Sequence, residues 1–78
     1  MKIRIFAENI LQATKITNKL IPHKLSFNVE HDGAEYIFIA EAPKEMITEF
    51  VKDAFEAIFE FKLQPSDSLE DYISMLEL

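Results

Sequence analysis

The hydrophobic pattern changes its period several times along the chain, and each change marks a predicted element. Lys2–Phe6 alternates polar and apolar residues, with Ile3 and Ile5 on one side, which predicts a short strand. Over Glu8–Ile21 the apolar spacing becomes three or four residues, which predicts a helix that ends before Pro22. We place its buried stripe on Ile10, Ala13, Thr14, Thr17 and Ile21, widened by Ile16 and Leu20.

A hairpin is predicted in the middle of the chain. Lys24–His31 and Ala34–Glu41 both alternate, and an Asp-Gly pair lies between them. Asp-Gly is a strong signal for a two-residue hairpin turn, because both central positions of a type I′ turn take positive φ. Closure by Asp32 and Gly33 sets His31 opposite Ala34. The same register pairs Val29 with Tyr36, Phe27 with Phe38 and Leu25 with Ala40, and all of these except Ala40 form one face of large side chains.

Two further helices are predicted after the hairpin. Pro43 suits the first turn of a helix that runs to Phe61 or Lys62, and Pro65 then breaks the chain. Ser66–Leu78 forms the last helix. Its cap is Ser66 or Asp67, with Glu70 placed for a capping box with Asp67. Its apolar stripe consists of Leu69, Tyr72, Ile73 and Leu76.

The predicted order is β-α-β-β-α-α, an α+β fold of a single domain covering residues 1–78. We expect a three-stranded, mainly antiparallel sheet with the helices packed on one face, where they cover Phe27 and Phe38. We place the first strand beside the third, so that Ile3 or Ile5 continues this apolar surface. The opposite face is mixed, and it is either partly solvated or covered by another element.

Residues 47–61, ITEFVKDAFEAIFEF, combine four Phe with four acids. At about 100° per residue, these four acids and the preceding Glu45 share an arc of roughly 80° on one side of the helix. We call this set the acidic ridge: Glu45, Glu49, Asp53, Glu56 and Glu60. The apolar stripe on the opposite side consists of Ile47, Phe50, Val51, Ala54, Ile58 and Phe61. Phe55 and Phe59 lie at its flank, either covered by the last helix or exposed as an apolar contact for dimerisation or a partner.

Charge is divided unevenly along the chain. Residues 1–28 carry five Lys or Arg and one Glu, a net of +4, whereas residues 29–78 carry three Lys and thirteen Asp or Glu, a net of −10. Like charges four residues apart repel by about 0.2–0.5 kcal/mol per pair, and only Lys52 borders the acidic ridge. This uncompensated repulsion favours use by a basic partner. An acidic face that serves only solubility remains the alternative.

No motif for catalysis or cofactor binding is present. The chain has no Cys, and its one Gly excludes a phosphate-binding glycine loop. His31 and Glu30 are neighbours in a strand and point to opposite faces, which argues against a shared metal. We therefore expect no enzyme activity, cofactor or metal. No apolar run approaches the roughly 18 residues of a membrane span, and with no signal-peptide core we expect a cytoplasmic protein.

Two segments carry a resemblance to a known family. VEHDGAEYIFIAE (Val29–Glu41), followed by EMITEFVKDAF (Glu45–Phe55), resembles the hairpin and helix of a small acidic anti-CRISPR family of Listeria prophages. That family inhibits Cas9 by occupying its PAM-reading surface as a DNA mimic. The present chain departs from the family by its N-terminal strand and by the thinner acidic run LQPSDSLEDY (Leu63–Tyr72). The resemblance implies a small phage-type inhibitor with acidic contact residues.

These observations lead to one functional prediction and two alternatives. The leading prediction is a non-enzymatic interaction module whose acidic ridge binds a basic protein surface, as a nucleic-acid mimic would. The first alternative is a small homodimeric structural or regulatory domain. Direct nucleic-acid binding is not expected, but it would use the basic residues Lys2, Arg4, Lys15, Lys19 and Lys24.

Overall fold

Six elements follow one another in the order that the sequence predicts. A computed structural model describes residues 1–78 and contains three strands and three helices. The elements are β1 (Lys2–Ala7), α1 (Ile10–Leu20), β2 (Ser26–Asp32), β3 (Glu35–Glu41), α2 (Lys44–Phe59) and α3 (Leu69–Leu76). The α+β class and the order β-α-β-β-α-α are therefore confirmed.

The three strands form one antiparallel sheet in the order β1-β3-β2. The placement of β1 beside β3 is confirmed, with Ile5 opposite Phe38 and Ile3 opposite Ala40. These side chains are buried beneath the helices. The other face of the sheet faces solvent, where Phe6 is half-exposed and the Arg4 guanidinium lies 5.2 Å from the centre of its ring. One face of the sheet thus carries the core and the other is open.

The register of the hairpin differs from the predicted one by two residues. Asp32 pairs with Glu35 and His31 with Tyr36, so Gly33 and Ala34 are the central residues of the turn. Gly33 has a φ of 61°, whereas Ala34 is not among the residues with positive φ. Positive φ at the first central position alone is the pattern of a type II′ turn. The predicted type I′ closure was wrong because it would require positive φ at Asp32 as well.

A shift of two residues keeps every side chain on its predicted face, since the strand period is two. Val29 now lies opposite Phe38 and Phe27 opposite Ala40. The expected burial of this face is only partial. Phe38 is buried and Phe27 is half-buried, but Val29 is 47% exposed. The face is covered near β1 and β3 and becomes open toward β2.

Helix α1 buries a different stripe from the predicted one. Asn9 is its N-cap and its side chain accepts a hydrogen bond from Gln12 N–H at 2.9 Å. Ile10 and Ile21, which the predicted stripe included, are 63% and 62% exposed. The Thr14 and Thr17 hydroxyls donate hydrogen bonds to carbonyls of the preceding turn, which satisfies these polar groups on the surface of the helix. The buried residues of α1 are Gln12, Ala13, Ile16 and Leu20.

Helix α2 ends earlier than predicted. Glu60 follows its last residue with a φ of 64°, the left-handed conformation that terminates many helices. Phe61 therefore lies beyond the helix, half-exposed, and its placement on the apolar stripe was wrong. The rest of that stripe is buried as predicted, namely Ile47, Phe50, Val51, Ala54 and Ile58.

Helix α3 begins at Leu69 with Ser68 as its N-cap residue, and no side chain caps it. The predicted cap at Ser66 or Asp67, with its capping box to Glu70, was wrong. Asp67 Oδ2 instead accepts a hydrogen bond from Gln64 N–H at 3.0 Å, which stabilises the turn before the helix. After α3 the chain reaches the outer edge of β1, where Leu78 N–H donates to Lys2 O at 2.9 Å.

Candidate functional site

The acidic ridge follows the outer side of α2 through Glu45, Glu49, Asp53 and Glu56. Glu60 comes after the last residue of α2, so its predicted place within the helix was wrong. All five of its residues are exposed. Their orientation follows from the opposite side of the helix, which packs on the sheet through Ile47, Phe50 and Val51. Burial of that stripe leaves α2 little freedom to rotate, so the acids remain directed outward.

Asp53 is the one ridge residue that is paired within the chain. Its Oδ1 lies 3.2 Å from Lys19 Nζ on α1, and its Oδ2 lies 3.0 Å from His23 Nε2. The hydrogen bonds from His23 and Lys19 lower the pKa of the Asp53 carboxyl below its ordinary value of 3.8. The pair is solvent-exposed, so water and salt weaken its contribution to stability.

The other four acids of the ridge have no basic partner. The ion pairs within 4.0 Å are the two at Asp53 and a third between Lys44 and Glu70, 3.6 Å apart. Lys52, the neighbour that the sequence places beside the ridge, forms no ion pair. The unpaired carboxylates belong to Glu45, Glu49, Glu56 and Glu60.

Glu60 occupies a position that favours glycine. Its φ of 64° lies in the left-handed region. This conformation costs an ordinary L-residue about 1–2 kcal/mol of conformational free energy. Glycine is the usual residue where a helix terminates in this conformation. A carboxylate is therefore held at the end of the ridge despite a local conformational penalty.

A groove runs between α1 and α2 beside the ridge. Its volume is about 680 Å³, and Lys15 and Lys19 line it on one side while Asp53, Glu56 and Glu60 line it on the other. The groove thus joins basic and acidic parts of the sequence. It is open to solvent, and only Leu11 and Ala57 among its lining residues are apolar.

Gln12 holds the two helices together next to this groove. Its buried Nε2 donates to Ala57 O and Ile58 O, both at 3.1 Å, and its Oε1 accepts from Glu8 N–H at 2.8 Å. Carbonyls in the last turn of a helix have no partner within the helix, so Gln12 satisfies groups that α2 cannot. The sequence does not predict this role of Gln12, because a single Gln in a polar pattern gives no signal of a contact 45 residues away.

Phe55 and Phe59 are covered from within the chain. The ring of Tyr72 on α3 packs edge-on against them, with ring centres 4.8 Å and 5.0 Å away. Phe61 packs on Phe55 at 5.5 Å. Phe55 is only 3% exposed and Phe59 is half-buried. Of the two alternatives for these residues, coverage by the last helix is the one that the structure shows, and Phe55 offers no surface to a partner.

The basic residues of the first third do not form one surface. Lys2 and Arg4 lie on the open face of the sheet, whereas Lys15 and Lys19 face the acids across the groove. Lys24 follows α1 with a φ of 58°. A phosphate backbone needs several cations on one track. The three locations provide no such track.

The histidines have local partners. The His31 ring stacks on Tyr36, with ring centres 4.5 Å apart, and His23 meets Asp53 and the edge of Phe50. No group of three or more His, Asp or Glu residues is arranged to hold a metal ion. None of the three helices has the length and apolar character needed to cross a bilayer.

Comparison with known proteins gave no match to any family model, any curated protein or any solved structure. The site must therefore be interpreted from its own geometry.

Proposed function

We propose that this chain is a non-enzymatic protein-interaction module that binds a basic protein surface through the acidic ridge, as a mimic of a nucleic-acid backbone. One observation carries the proposal. Four of the five ridge carboxylates have no ion-pair partner in the chain; Glu45, Glu49 and Glu56 lie on one side of α2, and Glu60 directly follows it.

The spacing of these acids supports a mimic of a phosphate backbone. Four residues advance about 6 Å along a helix, which separates Glu45 from Glu49. Seven residues advance about 10.5 Å, which separates Glu49 from Glu56. Phosphates of one DNA strand recur about every 3.4 Å along the duplex axis, and because the strand also winds around that axis, neighbouring phosphates lie farther apart than this rise. The carboxylates therefore resemble a phosphate strand in sign and in regular recurrence, which a row of Lys and Arg side chains can meet.

The energetics of the ridge also support selection for binding. Acids four residues apart repel by about 0.2–0.5 kcal/mol per pair, and no lysine of α2 relieves the repulsion. Glu60 adds the strain of a left-handed side chain. Strained residues concentrate at functional sites. Stability alone would favour glycine at this position and lysines among the acids.

The resemblance of Val29–Glu41 and Glu45–Phe55 to the anti-CRISPR family supports the same proposal from another direction. It suggests an inhibitor of the phage type, whose target surface normally reads DNA.

Under this proposal Asp53 has a different role from its neighbours. Asp53 links α2 to α1 through its ion pair with Lys19, and the four unpaired carboxylates bind the partner.

The test compares two triple variants of equal net charge. Glu45→Gln, Glu49→Gln and Glu56→Gln neutralise the ridge. Glu30→Gln, Glu35→Gln and Glu41→Gln neutralise three exposed acids of the hairpin. The wild-type chain and both variants are immobilised, and proteins captured from host lysate are identified by mass spectrometry.

We expect the hairpin variant to capture the same partner as the wild-type chain and the ridge variant to lose it. Circular dichroism checks that both variants remain folded. Equal loss of the partner from both variants would show that only net charge matters, and would refute the ridge as the contact.

A further inference from the structure

The two outer edges of the sheet differ. The chain after α3 covers part of the edge of β1, through a bridge between Ile3 and Glu77 and the hydrogen bond from Leu78 N–H. The edge of β2 pairs with nothing on its outer side, because β2 pairs only with β3. An uncovered edge is a row of free N–H and C=O groups that can add a further strand.

The turn identifies which backbone groups of β2 point outward. In a two-residue turn the first residue accepts a hydrogen bond from the fourth, which makes Asp32 and Glu35 a hydrogen-bonded pair. Hydrogen-bonded and non-hydrogen-bonded pairs then alternate along the strands. The residues of β2 whose N–H and C=O face away from β3 are therefore Phe27, Val29 and His31.

These three residues define one self-complementary pairing. We infer that β2 pairs in antiparallel orientation with β2 of a second copy of this chain, centred on Val29, and joins two sheets into one of six strands. Val29 then faces its own symmetry mate, and Phe27 faces His31 of the other copy. Each such pair exchanges two backbone hydrogen bonds, about six in all. The inference is independent of the proposed function of the acidic ridge.

The side chains fit this register. On the helix side, the exposed Val29 meets a second Val29, and Phe27 meets the His31 ring that stacks on Tyr36. On the open side, Glu30 lies opposite Asn28 and Asp32 lies opposite Ser26. Each carboxylate thus faces a neutral hydrogen-bond donor, and no like charges are directly opposed.

Neighbouring registers are poorer. Centring on Glu30 would oppose two carboxylates. Centring on Asn28 would pair His31 with Leu25, whose N–H already donates to Leu20 O at 3.4 Å. The register centred on Val29 gives every outward group of Phe27, Val29 and His31 a partner without opposing two carboxylates. A two-fold symmetric contact of this kind closes at a dimer.

Strand β2 contains no lysine, no proline and no bulge, which are features by which proteins block such edges. Its two acids, Glu30 and Asp32, face Asn28 and Ser26 of the other copy in this register and so do not oppose the pairing. On its helix side Val29 and His31 are exposed, whereas Phe38 of the neighbouring β3 is buried under the helices. The helix layer therefore leaves room above β2 for the second copy.

The first test is the mass in solution as a function of concentration, by sedimentation or light scattering. We expect the wild-type chain to rise from 9.1 kDa toward twice that value. Val29→Lys and Val29→Glu place like charges at the symmetry axis, and each alone should stay at 9.1 kDa. Their equimolar mixture should recover the doubled mass, because Lys then faces Glu. Val29→Thr is the matched control and should dimerise.

The second test locates the contact. Amide exchange at Phe27, Val29 and His31 should slow as concentration rises, while the amide of exposed Ala34 in the turn stays fast. A wild-type chain that remains at 9.1 kDa at its highest attainable concentration would overturn the inference. So would doubled mass in each single variant, or a dimer in which these three amides exchange as fast as in the monomer.

Discussion

Lys19 Nζ lies 3.2 Å from Asp53 Oδ1 and joins α1 to α2 across 34 residues of sequence. The pair brings the basic first third of the chain against the acidic remainder. It occupies a single carboxylate of the ridge, and His23 shares that carboxylate. The lysines of α1 therefore leave the rest of the ridge unneutralised.

Removal of the Asp53 carboxylate should reduce stability in a pH-dependent manner. Pairing lowers the folded-state pKa of Asp53 below 3.8, so its contribution is complete above that pH and is lost as the pH falls through the lowered value. Urea unfolding should show Asp53→Asn less stable than wild type at neutral pH, with the difference vanishing in strong acid. Glu49→Gln removes an unpaired acid and should show no loss at neutral pH. A difference for Asp53→Asn that persists unchanged in strong acid would contradict the pairing.

Replacement of Gln12 should destabilise the contact between α1 and α2. Gln12→Leu preserves bulk but leaves Ala57 O and Ile58 O without their donor. Leaving buried polar groups unsatisfied costs about 1–3 kcal/mol in the free energy of unfolding. Thr14→Ala on the exposed side of the same helix should change it by less than about 0.5 kcal/mol. Chemical denaturation measures both, and equal effects would exclude this role of Gln12.

Glu60→Gly should stabilise the chain. Glycine relieves the left-handed strain at φ 64°, and we expect a gain of about 1 kcal/mol in the free energy of unfolding. Glu60→Gln removes the charge but keeps the strained side chain, and serves as the control. Thermal unfolding of the two variants side by side gives the comparison. If the glycine variant is no more stable than the glutamine variant, the strain is not real.

Tyr72→Ala should uncover Phe55 and Phe59. The loss of a half-buried aromatic side chain lowers the free energy of unfolding, by an amount below the roughly 3–5 kcal/mol of a fully buried one. Tyr72→Phe retains the edge-on packing at 4.8 Å and should be close to neutral. Binding of a hydrophobic dye by the alanine variant reports the exposed rings. An alanine variant that is as stable as wild type and binds no dye would show that Tyr72 does not cover Phe55.

The sequence predicted the elements and their order because the spacing of apolar residues differs between strands and helices. Alternation in Lys2–Phe6 and the spacing of Ile47, Phe50 and Val51 identify a strand and a helix without further information. The side of α2 that carries the acids was also predictable, since the angle between residues follows from helix geometry.

The remaining features depend on tertiary contacts. The register of the hairpin depends on which residues of the turn take positive φ. The Asp-Gly pair does not decide whether both Asp32 and Gly33 do so or Gly33 alone. Gln12 and Lys19 acquire their roles from α2, which lies far along the chain. For the same reason, the pairing of Asp53 could not be distinguished in sequence from the isolation of Glu49 and Glu56.

Competition with duplex DNA tests the central claim most directly. The partner captured by the immobilised chain is exposed to increasing concentrations of duplex DNA at low salt. If the acidic ridge mimics a phosphate backbone, DNA displaces the chain from the partner, and added salt weakens the complex as it weakens phosphate contacts. A partner that stays bound at saturating DNA, with no dependence on salt, would contradict the claim.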